Sequence, residues 1–591
     1  MPFHALGDFA RRLESHGDLH RIKVEVDPVL EITEIAVRAL REGRPALLFE
    51  NVKGARFPLA ANLLATDKRI ELALGQDPDE LGEKLIHFFE QAIPPKPGVL
   101  WRNRALVKRF LSARPKTVRS AVSQEVVETP NLHILPIQVC WPKDGGRFIT
   151  LGQVFTYDPR DGKRNVGIYR MQVYDGRTTG MHWQIQKGGG FHYFQAQKLG
   201  REFELAVALG TDPAMLIATV AALPEGIDEV MFASFLRGTP MPMSRGKSIL
   251  IPVPAHAEFI LEGTVPLDET RLEGPFGDHF GHYSHAAPFP VFHIKTITRR
   301  RDAIYPATVV GKPPMEDKFI GDATQKILGP LARLIHKEIK EVWAYYEAGF
   351  HNLLVVSVEQ RYQKEAMKSA LGLMGTDQLS LTKCIVLASD HVNVRDFKQV
   401  LHAIRDHFDP HFDFVMIPKV PLDTLDFTSF KMNLGSKMIL DATVKPKERE
   451  RGRVGDKESL ERVVAVLKKD ETVVDARTHE ETMLLVKTKG EGRKLVERLV
   501  QIPELGNLKI IAVVSVDVDL DDRESYIWGI FTRFDCERDV IFTEQSLHGI
   551  SPIYRGVLGI DATWKPGYPE PLEMPEEIRE KVNRRWEEYW K

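Results

Sequence analysis

Apolar positions near the start of the chain recur at two different periods. Leu6, Phe9 and Leu13 are spaced as on one helical face, "LHRIKVEV" (19–26) alternates as a strand does, and "PVLEITEIAVRAL" (28–40) returns to the helical period behind Pro28. "ALLFENVKG" (46–54) reads as a buried strand running into a turn, so the opening predicts a small α/β unit. From about 148 to 310 the pattern becomes strand-like. "RFITLGQVFTYD", "NVGIYRMQVYD", "AMLIATVAAL", "SILIPVPAHAEFILEGTV" and "FHIKTITRRRDAIYPATVV", separated by Gly, Asp and Pro turns, predict an antiparallel or barrel-like β domain. Beyond 319, helices again alternate with apolar strands such as "NLLVVSV" and "KCIVLASD", which favours an α/β layer.

The last 250 residues carry an internal repeat. Residues 387–409 align without gaps to 513–535, and "LDATVKP" (440–446) recurs as "IDATWKP" (560–566) with five of seven residues matched. Order and spacing together point to a duplicated supersecondary unit. The copies differ where Lys437 of the first is replaced by Val557 in the second, so chemistry is expected in the first copy and a structural role in the second. Between them, "KPKERERGRVGDKE" (445–458) reads as a solvated linker. In the closing "PEEIREKVNRRWEEYWK", Ile578, Val582, Trp586 and Tyr589 share a helical face, a stripe that packs on its own or a neighbouring subunit. A homo-oligomer is expected.

Composition narrows the class. A chain of 591 residues is too long for one core and predicts roughly three or four domains. Apolar residues at 43% and charged residues at 27% exclude a disordered or fibrous chain. The net charge is −2 and cations come in short clusters such as "RRR" (299–301), so no nucleic-acid partner is expected. Cys140, Cys384 and Cys536 form no CxxC pair, which suits buried thiols in a reducing compartment. The start has no basic segment followed by an apolar core, and no run of about 18 apolar residues occurs, so the expectation is a cytoplasmic protein without a membrane span.

Two stretches carry candidate chemistry. In "LEGPFGDHFGHY" (272–283), Glu273 and Asp278 flank a Gly-Pro-Phe-Gly segment, where glycine freedom and proline restraint aim both acids into one cavity or leave a polar surface turn. Two neighbouring carboxylates cannot easily both ionise, so one is expected to titrate high. His279, His282 and His285, with His256, suggest a metal clamp and hence a metal-dependent hydrolase. Against that, three-residue spacing off a helix does not align imidazoles, and HExxH is absent. The second stretch, residues 165–193, places Asn165 and Arg170 on a strand ahead of "KGGG", which is either a phosphate cradle or a flexible turn. "PEGIDE" (224–229) adds carboxylates.

Taken in order, "NVGIYRMQ", "MHWQIQKGGGFHY", "PEGIDE", "VPAHAEFILEG", "LEGPFGD" and "LGSKMILDAT" resemble the motifs of the UbiD family of decarboxylases over about residues 5–446. Long members with an extended C-terminus, some assigned to menaquinone biosynthesis, are most similar to the whole chain. The resemblance implies a mixed α/β and β multidomain fold. Its parts are an N-terminal α/β domain (1–115), a split β-barrel flavin-binding domain (116–318), a C-terminal α/β domain (319–446), and a duplicated α/β domain with the closing helix (447–591).

It also implies reversible, non-oxidative decarboxylation of an aromatic acid, a hydroxyaryl acid or a naphthoate. The implied cofactors are prenylated FMN, supplied by a flavin prenyltransferase, a divalent metal, usually Mn2+, and K+ at the flavin phosphate. By position, Asn165, His192 and Glu229 match the metal set. Ile168, Tyr169, Arg170, His182, Trp183, Gln184, Lys187 and Gly188 match the cofactor-contacting stretches, and Lys437 a phosphate partner. Arg170, Glu273 and Asp278 match an Arg-acid-acid network in which either acid is a candidate proton donor.

The chemistry agrees with that set. A positioned general acid supplies about 10²–10⁴ in rate, against the roughly 8–23 kcal/mol that enzymes remove from barriers, so losing CO2 to an sp2 carbanion needs an electron sink beyond two acids. Arg170 and Asp278 are expected to hold each other, leaving Glu273 to shuttle the proton. The rival readings are the metal-dependent hydrolase and a flavin-binding or assembly protein without catalysis.

Overall fold

In the computed structural model, residues 3–92, 94, 96–184, 188–223, 226–429, 431–445 and 457–591 are described. The alternating run at 19–26 forms the strand Leu19–Ile22, which lies parallel to Ala46–Phe49 with Leu19 opposite Ala46. Leu59–Ala61 and Tyr305–Pro306 complete a four-stranded sheet. Helix Leu6–Ser15 buries Leu6, Phe9, Ala10 and Leu13, the face that the helical spacing marks out. Helix Glu31–Arg41 buries Ile32, Ile35, Ala36 and Ala39 in the same way.

Contacts divide the chain into two compact units, residues 1–327 with 570–591, and residues 328–569. The first contains the strand-rich region as an eight-stranded antiparallel sheet. Its main path runs Thr178–Gly180, Ala287–Arg299, Phe259–Val265, Phe203–Leu209, Gln153–Tyr157 and Arg164–Ile168. The 13-residue strand Ala287–Arg299 also pairs Thr270–Glu273 and Val126–Glu128, so the sheet forks there. Phe259–Val265 is buried at every position, as a strand covered on both faces should be. This is the mixed α/β and β architecture expected. The fork matters for function because it ends one branch at Glu273.

The closing helix Glu576–Tyr589 belongs with this first unit, although sequence adjacency grouped it with the duplicated domain. Its reason is local: Glu31, 1% exposed, takes Lys581 Nζ at 2.9 Å, Arg585 Nη1 at 2.5 Å and Tyr589 Oη at 2.7 Å. A carboxylate that deep requires such partners. Burial pushes the Glu31 carboxyl up, but these contacts prevail and hold it below its ordinary range.

The second unit is built twice over. One five-stranded sheet has the order Ile339–Ala344, Leu353–Val358, Cys384–Ser389, Gly435–Ala442, Phe414–Val420. The other has Val473–His479, Met483–Thr488, Ile510–Val514, Ser551–Ala562, Val540–His548. Both run antiparallel, parallel, parallel, antiparallel across the sheet. Cys384 lies opposite Met438 and Ile510 opposite Leu558, so the repeat read from the sequence is a repeat of topology and register. The copies share one core, in which Met438 and Leu440 join Leu485, Leu558 and Ile560. Across the copies, Lys383 Nζ, fully buried, donates to Phe534 O at 2.9 Å and lies 2.9 Å from Asp426 Oδ2. Most of the expected linker, residues 446–456, lies outside the described residues.

All three cysteines are free and buried. Among the described residues, no helix is long and apolar enough to cross a membrane.

Candidate functional site

Past the end of strand Arg164–Ile168, the chain presents Arg170, and the two candidate acids converge on it. Arg170 Nε donates to Glu273 Oε1 at 3.0 Å, Nη1 donates to Asp278 Oδ2, and the guanidinium lies 4.9 Å from the Phe276 ring centre. The third nitrogen, Nη2, is buried without a hydrogen-bond partner. Glu273 is 0% exposed, and its other oxygen meets His182 Nδ1 at 2.6 Å. Asp278 Oδ1 accepts both the backbone N–H and Nδ1 of His279 at 2.8 Å.

Electrostatics fixes the charge of Asp278. Burial alone would raise Asp278, but the His279 hydrogen bond and the Arg170 charge outweigh it and hold this carboxyl well below the usual carboxylate range. Burial and the Arg170 cation lower His182, which favours its neutral ring, and Nδ1 of that ring lies 2.6 Å from Glu273 Oε2.

The acids are aimed by a gripped hinge. Gly274 has φ +94°, a conformation costly for other residues, and its N–H donates to Gln172 Oε1 at 2.7 Å. Gly145 N–H donates to Pro275 O at 2.7 Å, and a Cβ at Gly145 would stand 2.3 Å from Gly274 O. Asp144 Oδ1 accepts Gly277 N–H at 2.8 Å while its Oδ2 accepts the Cys140 and Trp141 amides. Burial pushes the Asp144 carboxyl up to about 7 despite these amides. Sequence reasoning missed Asp144, Gly145 and the His182–Glu273 contact. Gln172 left a signal, since it is two residues beyond Arg170 and so shares its side of an extended segment.

A second cluster forms at the other end of the same strand. Asn165 is paired with Thr156 in the ladder, and Thr156 Oγ1 contacts His192 Nδ1 at 3.0 Å. Glu229 opens helix Glu229–Arg237, which Asp228 caps through the Val230 and Met231 amides. Arg164 grips Asp228 with two nitrogens, and Glu229 Oε2 accepts Val166 N–H at 3.0 Å. Asn165, His192 and Glu229 are thus gathered around one strand end. Burial pushes Glu229 up to about 7, so a cation nearby would stabilise its carboxylate, and burial lowers His192, which favours the neutral ring that a metal ion can use.

The triple glycine is not a flexible turn. Gly188–Leu199 is a helix whose first turn presses against this cluster. A Cβ at Gly188 would lie 2.1 Å from Asn165 Oδ1, and one at Gly189 would lie 2.7 Å from Trp183 Nε1. Gly189 N–H donates to Tyr169 Oη at 3.1 Å. Asn165 Nδ2 and Trp183 Nε1 are both buried without partners. With Arg170 Nη2, three buried donors therefore stand unsatisfied along one strand and the loop beside it, each worth roughly 1–3 kcal/mol of desolvation if left so. Ile168 and Gln184 are half-buried beside them. The donor set fits an anionic ligand rich in hydrogen-bond acceptors.

Other expected residues fall elsewhere. Lys187, and Pro224 and Glu225 of "PEGIDE", lie outside the described residues. Lys437 is in the second unit, where its ammonium donates to Ser380 O and Thr382 O, both at 2.6 Å. The histidine clamp is not formed: His279 turns to Asp278, His282 Nδ1 contacts Phe280 O at 3.0 Å, His285 is exposed, and His256 stacks on His4. Among the described residues, no group of three or more His, Cys, Asp or Glu could hold a metal ion.

Three family models match the chain in order. They are the 3-octaprenyl-4-hydroxybenzoate carboxy-lyase N-terminal domain (residues 10–89), its Rift-related domain (115–313) and its C-terminal domain (318–442 and 460–562), the last spanning both copies of the repeat. An uncharacterised protein of Archaeoglobus fulgidus is 46% identical over 447 residues, 75% of this chain and 92% of its own. A 4-hydroxybenzoate decarboxylase subunit of Chlamydia pneumoniae is 35% identical over 579 residues, 98% of this chain and 97% of its own. Among solved structures, the closed form of vanillic acid decarboxylase from Sedimentibacter hydroxybenzoicus superposes with a TM-score of 0.68 at 26% identity, covering 80% of this chain and all of that one. An evolved dimeric form of the UbiD-class enzyme HmfF from Pelotomaculum thermopropionicum, in complex with prFMN, gives 0.63 at 26% identity, covering 76% and 96%.

Proposed function

The chain belongs to the UbiD family of carboxy-lyases, and on that premise we propose that it removes CO2 non-oxidatively from a hydroxylated aromatic acid with the help of prenylated FMN. The observation that carries this reading is the buried Arg170–Glu273–Asp278–His182 cluster with an unpaired guanidinium nitrogen facing no protein acceptor.

Arg170 Nη2 takes the substrate carboxylate, fixing it beside the acids. Asp278 stays ionised and holds Arg170 in place. Glu273 takes up a solvent proton relayed through His182 and delivers it to the ring carbon as CO2 leaves. This balances the reaction, one proton entering for each CO2 lost. Prenylated FMN, when bound, supplies the electron sink for the carbon–carbon bond pair. Tyr169, His182, Trp183, Gln184 and Gly188, with Ile168 and Lys187, would hold the flavin. The first turn of helix Gly188–Leu199 would face its phosphate. Asn165, His192 and Glu229 would hold a divalent ion, Mn2+, with K+ beside it. Lys437, whose ammonium is already taken up by two carbonyls, stays outside the proposed set.

The activities named for the Chlamydia and Sedimentibacter relatives support a hydroxybenzoate-type substrate. A naphthoate of menaquinone biosynthesis is the second class. A flavin prenyltransferase would supply the cofactor to a cytoplasmic homo-oligomer.

The test is anaerobic reconstitution with prenylated FMN, followed by CO2 release and ring hydrogen–deuterium exchange on 4-hydroxybenzoate, vanillate and a hydroxynaphthoate. Flavin absorbance with exchange on at least one acid is expected. Retained flavin without exchange on any of them would favour the non-catalytic flavin-binding reading.

A further inference from the structure

Cations elsewhere in this chain are mostly paired; the "RRR" cluster, for example, is engaged by Glu128, Asp8 and Glu258. One stretch departs from that pattern. Residues 91–124 contain eight Lys and Arg and no Asp or Glu, and none of the eight forms an ion pair among the described residues. The cations are dispersed among apolar residues, which is why no consecutive basic cluster marks them in the sequence.

Within this stretch lie two short helices, Pro97–Arg102 and Arg104–Leu111. One side is anchored: Val99 is buried, and the Phe110 ring packs 4.8 Å from Phe235 and 5.7 Å from Phe89. The other side presents Arg104 and Lys108, one turn apart, between Trp101 at 73% and Leu111 at 79% exposure. Arg109 Nη1 is buried without a hydrogen-bond partner, a half-buried cation still lacking an acceptor. Large apolar side chains so exposed are rare unless something covers them.

We propose that this helical pair docks the protein on an anionic lipid bilayer surface, with the cations among the headgroups and Trp101 and Leu111 entering the interface. Charge selects the occupant. A second copy meeting this patch across a two-fold axis would set the four cations of one helical pair against the same four of the other. A nucleic acid would satisfy the cations but gives Leu111 and Leu100 nothing to contact. Anionic lipid satisfies both, in the way basic amphipathic helices lie on membranes without spanning them. The proposal does not depend on the decarboxylase reading, so either can fail alone.

The test is flotation of the full chain with phosphatidylcholine vesicles, with and without phosphatidylglycerol. Binding is expected only with the anionic lipid and is expected to weaken in salt. Arg104→Gln with Lys108→Gln should lower the partition about thirtyfold. Trp101→Ser with Leu111→Ser should lower it about tenfold or more, each variant keeping its circular dichroism spectrum. Equal recovery with both vesicle types, or binding indifferent to the charge substitutions, overturns the proposal. So does preference for a duplex oligonucleotide over anionic vesicles, or a light-scattering mass that falls in the Trp101/Leu111 variant and so assigns the patch to contact between copies.

Discussion

At Glu273 both carboxyl oxygens are engaged, one by Arg170 and one by His182. Replacing the acid by an amide sets an N–H against one of those donors and removes the mobile proton together. Glu273→Gln is therefore expected to lose about 10²–10⁴ in the rate of CO2 release while retaining flavin, measured as turnover per bound cofactor. Equal turnover per flavin would remove Glu273 from the proton path. Glu273 and Asp278 were legible as a pair from the Gly-Pro segment between them, whereas Arg170 joined them only through the resemblance to the family motifs. His182 was visible only as a cofactor neighbour, since its approach to Glu273 joins residues 91 positions apart through the sheet. Asp144 left no local mark, because its work is done on backbone amides, which every residue has.

At the scale of elements, the helix Gly188–Leu199 and the strand bearing Asn165 approach so closely that a single methyl group decides between them. Gly188→Ala would drive a carbon to 2.1 Å from Asn165 Oδ1. The expected result is at least a tenfold drop in flavin and divalent-metal content with the far-UV spectrum unchanged, read by absorbance and metal analysis. Normal cofactor content would show that the cradle tolerates the shift. A glycine run in a sequence serves a loose turn and a crowded helix entrance equally well. Only its partner 23 residues earlier tells them apart. Four of the five stretches read as strands in the β domain do carry strands, but "AMLIATVAAL" forms most of the helix Pro213–Val220, because an unbroken apolar run has no period that tells a buried helix from a buried strand. The fork at Ala287–Arg299 depends on long-range pairing that no local pattern encodes.

At the scale of the whole molecule, the apolar faces of the duplicated copies enter a common core, so the two are expected to unfold together. Lys383 and Asp426 lie buried at 0% side-chain exposure within it. Lys383→Met should cost about 3–5 kcal/mol in unfolding free energy by stranding Asp426, whereas Lys383→Met with Asp426→Leu should recover most of that loss. Additive losses in denaturant melts would mean that the pair is not coupled. The repeat itself was readable because both sheets preserve strand order and register. The destination of the closing helix was not, since its anchor, Glu31, stands at the opposite end of the sequence.

That anchor has a consequence for biosynthesis. As the ribosome makes about 5–20 residues each second, the segment between 327 and 570 occupies it for tens of seconds. Throughout that interval the nascent first unit has an unclaimed carboxylate where the last helix will sit. The window is one in which a chaperone can hold the chain, and in which a tag or truncation at the far end would be felt at the beginning.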